Sequence, residues 1–174
     1  MTQPNHLIVG GAPEGHDARI LLDEAAEGPA FTVNALGPSV LARACAEKMY
    51  ADDNATRGLG IEIEIPEPGS AVATMTVRKD MVNGFDICHG GLIFTLADTA
   101  FAFACNAYDD VTVAGSGTVE FLRPAFVGDV LRAVALEEHR GRRSGVYAVE
   151  VVNQRAEFVA LFRGRAVARG QRNL

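Results

Sequence analysis

Asp98 is the first place to look for chemistry in this sequence. It is the one acidic or basic residue between His89 and Asn106, a proline-free run of about eighteen residues that is apolar on nearly every side. As a helix this run would be roughly 27 Å long, and a helix apolar all round is either buried or membrane-spanning. An ionised carboxylate is costly to bury without partners. Thr95 stands one turn before Asp98 and is placed to donate a hydrogen bond to it. The bland alternative is a satisfied core aspartate or an ion pair at a subunit contact.

Gly90 and Gly91 open the same run. The first N–H groups of a helix have no internal partner, and glycine lets a ligand approach the backbone closely. With the positive end of the helix dipole they could hold a carbonyl oxygen that becomes an oxyanion, or simply make a tight turn into the helix. His89, immediately before them, is placed to cap the helix or to bond the loop backbone. Gly91 and Asp98 are seven residues apart, on roughly the same side of the helix but separated by about 10.5 Å of axial rise. One small carbonyl can hardly touch both. If both act on it, the N–H comes from one subunit and the carboxylate from another, as two antiparallel central helices about a twofold axis would arrange.

Softer candidates surround this pair. Asn83, in an Asn-Gly turn ahead of the helix, could position a water or a carbonyl. Ser116 lies between two glycines in AGSGTVEF, where a bulge or close backbone packing is the plain reading. Arg123, Arg140, Arg142 and Arg143 sit at strand ends, either solvated or together able to hold phosphates. There is no GxSxG, no Cys/His nucleophile pair suggested by spacing and no metal-ligand cluster among the four histidines.

Composition bounds the rest. The 174 residues suffice for one domain with a sizeable core. A net charge of −6 argues against bulk nucleic-acid binding and against an anionic membrane surface. From position 120 onward, however, the chain carries ten of its sixteen basic residues against six acids, so a local anionic ligand remains compatible. Three scattered cysteines, Cys45, Cys88 and Cys105, without a CxxC pair, suit a reducing cytoplasm rather than a disulfide framework. The N-terminus does not read as a signal peptide. The central helix is at the short edge of membrane-span length, and Asp98 with the strands around it favours a buried core helix.

Residues 1–36 carry five acids against one arginine and no lasting period, and are expected to be a flexible extension ahead of a domain over 37–174. A helix with Ser39 as its N-cap is expected to run from there to Asp52 or Asp53. The alternation IEIEI at 61–65 and the run 71–77 predict an antiparallel pair of strands. After the central helix come four strand-like runs, at 111–122, 130–138, 145–153 and 157–168, separated by turn chemistry. The order predicts an α+β fold: an antiparallel sheet of about six strands wrapped around one long apolar helix.

The strings NGFDICHGGLIFTLADTAFAFACN, VEFLRPAFVGD and GRRSGVYAVEVVNQ resemble the hotdog-fold thioesterases, and specifically the PaaI group of acyl-CoA thioesterases of phenylacetate degradation, over about Pro38 to Ala168. The resemblance implies that Asp98 attacks a thioester or activates the water that does. It implies that the Gly91 N–H, with Gly90 beside it, binds the thioester oxygen and that Asn83 positions substrate or water. His89 would orient that loop and Ser116 would lie beside the aspartate. It further implies an apolar pocket lined partly by Phe85 and residues of the central helix, and coenzyme A phosphates near basic residues such as Arg123, Arg140, Arg142 and Arg143. The site would cross the interface of a homodimer, with dimers pairing into a homotetramer. Coenzyme A enters only as part of the substrate, with no separate cofactor or metal. The expected reaction is hydrolysis of a phenylacetyl-CoA or hydroxyphenylacetyl-CoA type thioester in the cytoplasm. Two alternatives stand beside it: a non-catalytic acyl-CoA sensor, and a hotdog hydratase or dehydratase.

Overall fold

The computed structural model describes residues 37–174, so the expected extension over 1–36 lies outside the described residues. Helix α1, Pro38–Asp52, starts at Gly37 rather than at Ser39, because a proline at the first helical position supplies the start and no side chain caps it. A second short helix, α2, Asn54–Gly58, follows directly, with the Asp53 side chain accepting from Thr56 N at 2.9 Å. The long central helix α3 is Gly90–Cys105. The strands are β1 (Glu62–Glu64), β2 (Ser70–Thr76), β3 (Thr112–Phe121), β4 (Val130–Arg140), β5 (Ser144–Val152) and β6 (Phe158–Ala168). They make one six-stranded sheet in the order β1-β2-β4-β5-β6-β3, antiparallel at every pairing.

The sheet curls round α3, which packs on β2, β4, β5, β6 and β3 in turn. Alternation along the strands decides which side faces the helix. Leu131, Ala133 and Ala135 on β4, Tyr147, Val149 and Val151 on β5, and Phe162 and Ala166 on β6 are all buried against it. The helix answers with Leu96, Ala97, Ala100, Phe101 and Ala104, and its small side chains let the sheet come close. Phe101 holds its ring edge-on to Tyr147 at 5.4 Å. Burial of this surface stabilises the domain, and it pushes the Cys105 thiol up to about 12. No described helix is long and apolar enough to cross a membrane.

Two local features set the helix against its neighbours. The Asn106 side chain donates to Ala102 O and to Thr112 O, and accepts from Thr112 N, all at 2.9 Å. One carboxamide thereby ends α3 and fixes the start of β3. At the other end of the sheet, β3 is an edge strand of ten residues, most of them exposed. At ~3.3 Å per residue this is an open edge of about 30 Å, of the kind that pairs with another chain unless it is covered.

Candidate active site

The helix start is built from the backbone outward. His89 is the N-cap of α3, in extended conformation, and its Nδ1 accepts from Gly91 N at 3.0 Å. The His89 carbonyl takes the N–H groups of Leu92 at 2.9 Å and Ile93 at 3.4 Å. Of the first-turn donors, that leaves Gly90 N–H with no hydrogen-bond partner among the described residues. The expectation for Gly91 is thus corrected: its N–H is occupied by the histidine cap, and the free donor stands one residue earlier. His89 is a capping residue, one of the two roles its position allowed.

Beside Gly90 lies an apolar cavity of about 480 Å³, walled by Ile87, Ile93, Phe121, Leu122 and Pro124, with Cys88, Asn83 and Arg123 completing it. The Asn83 side-chain Oδ1 accepts from Phe85 N at 2.9 Å, a turn that brings the loop round to Asp86 with φ 56°. The Asn83 backbone N–H donates to Ile87 O at 2.9 Å, and its side-chain N–H groups find no acceptor among the described residues. Arg123 is held by a hydrogen bond from Nη1 to Phe158 O at 3.2 Å. Phe85, expected in the pocket, points away from it: the turn leaves its side chain 86% exposed.

Asp98 is two turns along α3, about 12 Å from Gly90 by helical rise. Of the less buried positions beyond the first turn, Phe94 packs against the core, while Thr95, Asp98 and Ala102 continue the line of the exposed Gly91 at spacings of four, three and four. They form one open stripe on an otherwise buried helix. Asp98 is half-buried and accepts no hydrogen bond from a described residue. Burial alone raises its carboxyl above the usual range. The expected donor is otherwise engaged, since Thr95 Oγ1 donates to Gly91 O at 2.8 Å, as hydroxyls in helices often do.

Within a single chain Ser116 does not lie beside the aspartate. A bulge between Ala114 and Ser116 inserts Gly115, after which Ser116 pairs with the exposed Arg165 and Gly117 with the buried Gly164. One extra residue reverses the alternation. The serine therefore shares the outer face with Arg165, and Gly117, Val119 and Phe121 take the helix side. The arginines divide as well. Arg123 is at the pocket, whereas Arg140, Arg142 and Arg143 occupy the β4–β5 end of the sheet, the full length of β3 away, where Arg140 lies 4.0 Å over the Tyr108 ring.

A helix start with an unpartnered N–H, an apolar cavity beside it and a desolvated carboxylate on the open stripe suit acyl transfer. Comparison with known proteins decides the family. The thioesterase superfamily model matches residues 85–160, which include the helix start, Asp98 and the pocket wall. The acyl-coenzyme A thioesterase PaaI of Escherichia coli is 50% identical over 121 residues, 70% of this chain and 86% of that protein. The chain belongs to the thioesterase superfamily. Its fold is the hotdog fold of that superfamily. The structure of the Escherichia coli PaaI protein from the phenylacetic acid degradation operon superposes with a TM-score of 0.77 at 47% identity, covering 78% of this chain and 99% of that one. A Streptococcus mutans structure bound to acetyl CoA, smu.793, superposes at 0.62 with 27% identity, covering 64% of this chain and 90% of that one.

Within this thioesterase-superfamily chain, Ile93 is the central-helix residue expected in the pocket wall, whereas Ile87, Phe121, Leu122 and Pro124 were not expected there. A signal was present for one of them. Val119 and Phe121 alternate on the same strand face, and Phe121 pairs with the fully buried Ala160.

Proposed function

We propose that the protein hydrolyses an acyl-CoA thioester to the free acid and coenzyme A, with an aryl-acetyl group of the phenylacetyl-CoA or hydroxyphenylacetyl-CoA type as the acyl part. The observation that carries this reading is the unpartnered Gly90 N–H opening onto an apolar cavity. The carbonyl oxygen of the thioester sits on that N–H, and the donor strengthens its hold as the oxygen gains charge. The ionised Asp98 carboxylate then acts in one of two ways. As a base it takes a proton from water, whose oxygen bonds to the carbonyl carbon. As a nucleophile it bonds there itself, and water cleaves the resulting anhydride. In both, the C–S bond breaks and coenzyme A leaves as thiolate, which is then protonated. Asn83 donates to the carbonyl or to the water, and Arg123 meets an anionic part of the coenzyme at the pocket mouth.

The twelve-ångström gap between Gly90 and Asp98 calls for a second copy. The open β3 edge supports one arrangement. Phe121 stands over Gly90, and Gly117 stands opposite Phe94, one turn further on, so helix and strand run in opposite senses. An antiparallel β3–β3 pairing centred near Gly117 sets Phe121 of one copy opposite Val113 of the other. That carries the Gly90 of one subunit toward the Asp98 of its twofold mate. It also brings the Arg140–Arg143 end of one copy to the pocket end of the other, where those arginines can reach coenzyme A phosphates. Leu136 and Leu161, exposed on the outer face of the sheet, offer apolar surface over which dimers pair into a tetramer. The three free cysteines accord with work in a reducing compartment such as the cytoplasm.

The test is release of free thiol from phenylacetyl-, hydroxyphenylacetyl-, benzoyl-, short-chain and long-chain acyl-CoA, with Asp98→Asn as control. Turnover that favours the aryl substrates and disappears in the variant is expected. Binding of these thioesters without turnover would replace the enzyme with a sensor.

A further inference from the structure

The pocket contains one aromatic wall, and its placement is unusual. Phe121 belongs to the helix-facing row of β3, yet its side chain is not absorbed into the core: it is 53% exposed. Its ring tip is aimed at the start of α3. A Cβ built on Gly90 would stand 3.1 Å from the Phe121 para carbon and 3.4 Å from each neighbouring ring carbon. The ring is therefore seated against the residue that carries the free N–H. A half-exposed phenylalanine leaves apolar surface in water unless something covers it. The remaining apolar wall is aliphatic, made by Ile87, Ile93, Leu122 and Pro124.

Resting on the reading of the protein as an acyl-CoA thioesterase, we infer that Phe121 is the residue that selects aromatic acyl groups. An acyl carbonyl placed on Gly90 N–H sets its substituent beside the Phe121 ring, and a flat aryl group there makes an edge-to-face or offset contact. An alkyl chain of similar volume fills the cavity without that contact. Neither the catalytic carboxylate nor the oxyanion donor is involved, so the ring affects selection rather than the chemical step.

The test compares Phe121→Leu with the unaltered residue, and Phe121→Tyr as the aromatic control. Affinities for phenylacetyl-CoA and hexanoyl-CoA are measured calorimetrically in the Asp98→Asn background, where turnover does not interfere. The ratio of kcat/KM for the same pair is measured with Asp98 intact. Phe121→Leu is expected to lower the aryl-to-alkyl ratio roughly three- to tenfold through the aryl arm, with the alkyl arm changed less than about twofold. Phe121→Tyr is expected to retain the preference. An unchanged affinity ratio, or equal losses on both arms, would overturn the inference. A fall in the dimer fraction on sedimentation together with an unchanged aryl-to-alkyl ratio would also overturn it, assigning the exposed half of the ring to the β3–β3 contact instead of the acyl group. Absence of turnover with a normal aryl preference in binding would instead remove the hydrolase reading and leave the role of Phe121 standing.

Discussion

Proline substitution separates the Gly90 N–H from the rest of the helix start. A backbone donor ordinarily cannot be removed without breaking the structure, but this one stands at the first helical position. There proline is tolerated, because the N–H has no helical partner to lose. His89, the preceding residue, has φ −61° and ψ 129°, within the extended region that a following proline requires. Gly90→Pro therefore deletes a donor that no described residue uses. Gly90→Ala is the matched control: it adds the same Cβ, 3.1 Å from the half-exposed Phe121 ring, and keeps the N–H. The ring can give by a few tenths of an ångström, and the alanine gains up to about 1 kcal/mol of helix preference. Both variants should melt within about 4 °C of the parent. In the thiol-release assay Gly90→Ala should lose at most a few-fold, and Gly90→Pro about 10² to 10³ in kcat, or roughly 2.7–4 kcal/mol, as for other lost oxyanion donors. Equal activity of the two folded variants would refute Gly90 as the donor.

Other outcomes follow from the same geometry. Burial raises the Asp98 carboxyl, so the folded chain keeps a proton there at pH values where the unfolded chain has released it. The stability due to this group falls as pH rises from the ordinary carboxylate range through the raised value, and stays lost above it. Asp98→Asn should then melt at or above the parent at pH 8, with the gap closing in acid; a lower melting point at pH 8 would contradict this. Parent kcat/KM should decline in acid at a pH above that of an ordinary aspartate. Gly117→Ala places a methyl 2.8 Å from the buried Phe162 ring, and should cost about 1–3 kcal/mol in urea unfolding; no loss would refute the β3 register. His89→Ala removes the acceptor of Gly91 N–H and should cost about 1 kcal/mol, which His89→Asn largely restores because asparagine can also cap.

The architecture was legible because its signals were local. Strict alternation in IEIEI and in the last strands, and one long apolar segment, leave little besides a sheet wrapped on a helix. The acid, the histidine cap and the glycine pair stood together in sequence, and α3 holds them as that spacing requires. What the sequence did not yield depends on single-residue detail. Which glycine keeps a free N–H turns on whether His89 Nδ1 takes the first or the second, and only the cap geometry assigns it to Gly91. The glycines on either side of Ser116 allowed a bulge, but the face the serine takes follows only from the register that the bulge at Gly115 sets. The family resemblance puts Phe85 in the pocket, but the turn closed by Asn83 leaves it in solvent. Thr95 was read as a partner of Asp98 from its spacing, although a threonine in a helix can equally bond back to its own preceding turn.

The central claim is that one site draws its donor and its carboxylate from different subunits. Subunit complementation tests it most directly. Gly90→Pro and Asp98→Asn proteins, each inactive alone, are unfolded together, refolded and assayed on phenylacetyl-CoA. In a mixed dimer one site receives both defects and the other receives none. Random pairing of equal amounts should therefore restore roughly a quarter of the parent activity. Activity no higher than that of either variant alone, with mixed dimers verified by native mass spectrometry, would place donor and carboxylate in the same chain and contradict the account.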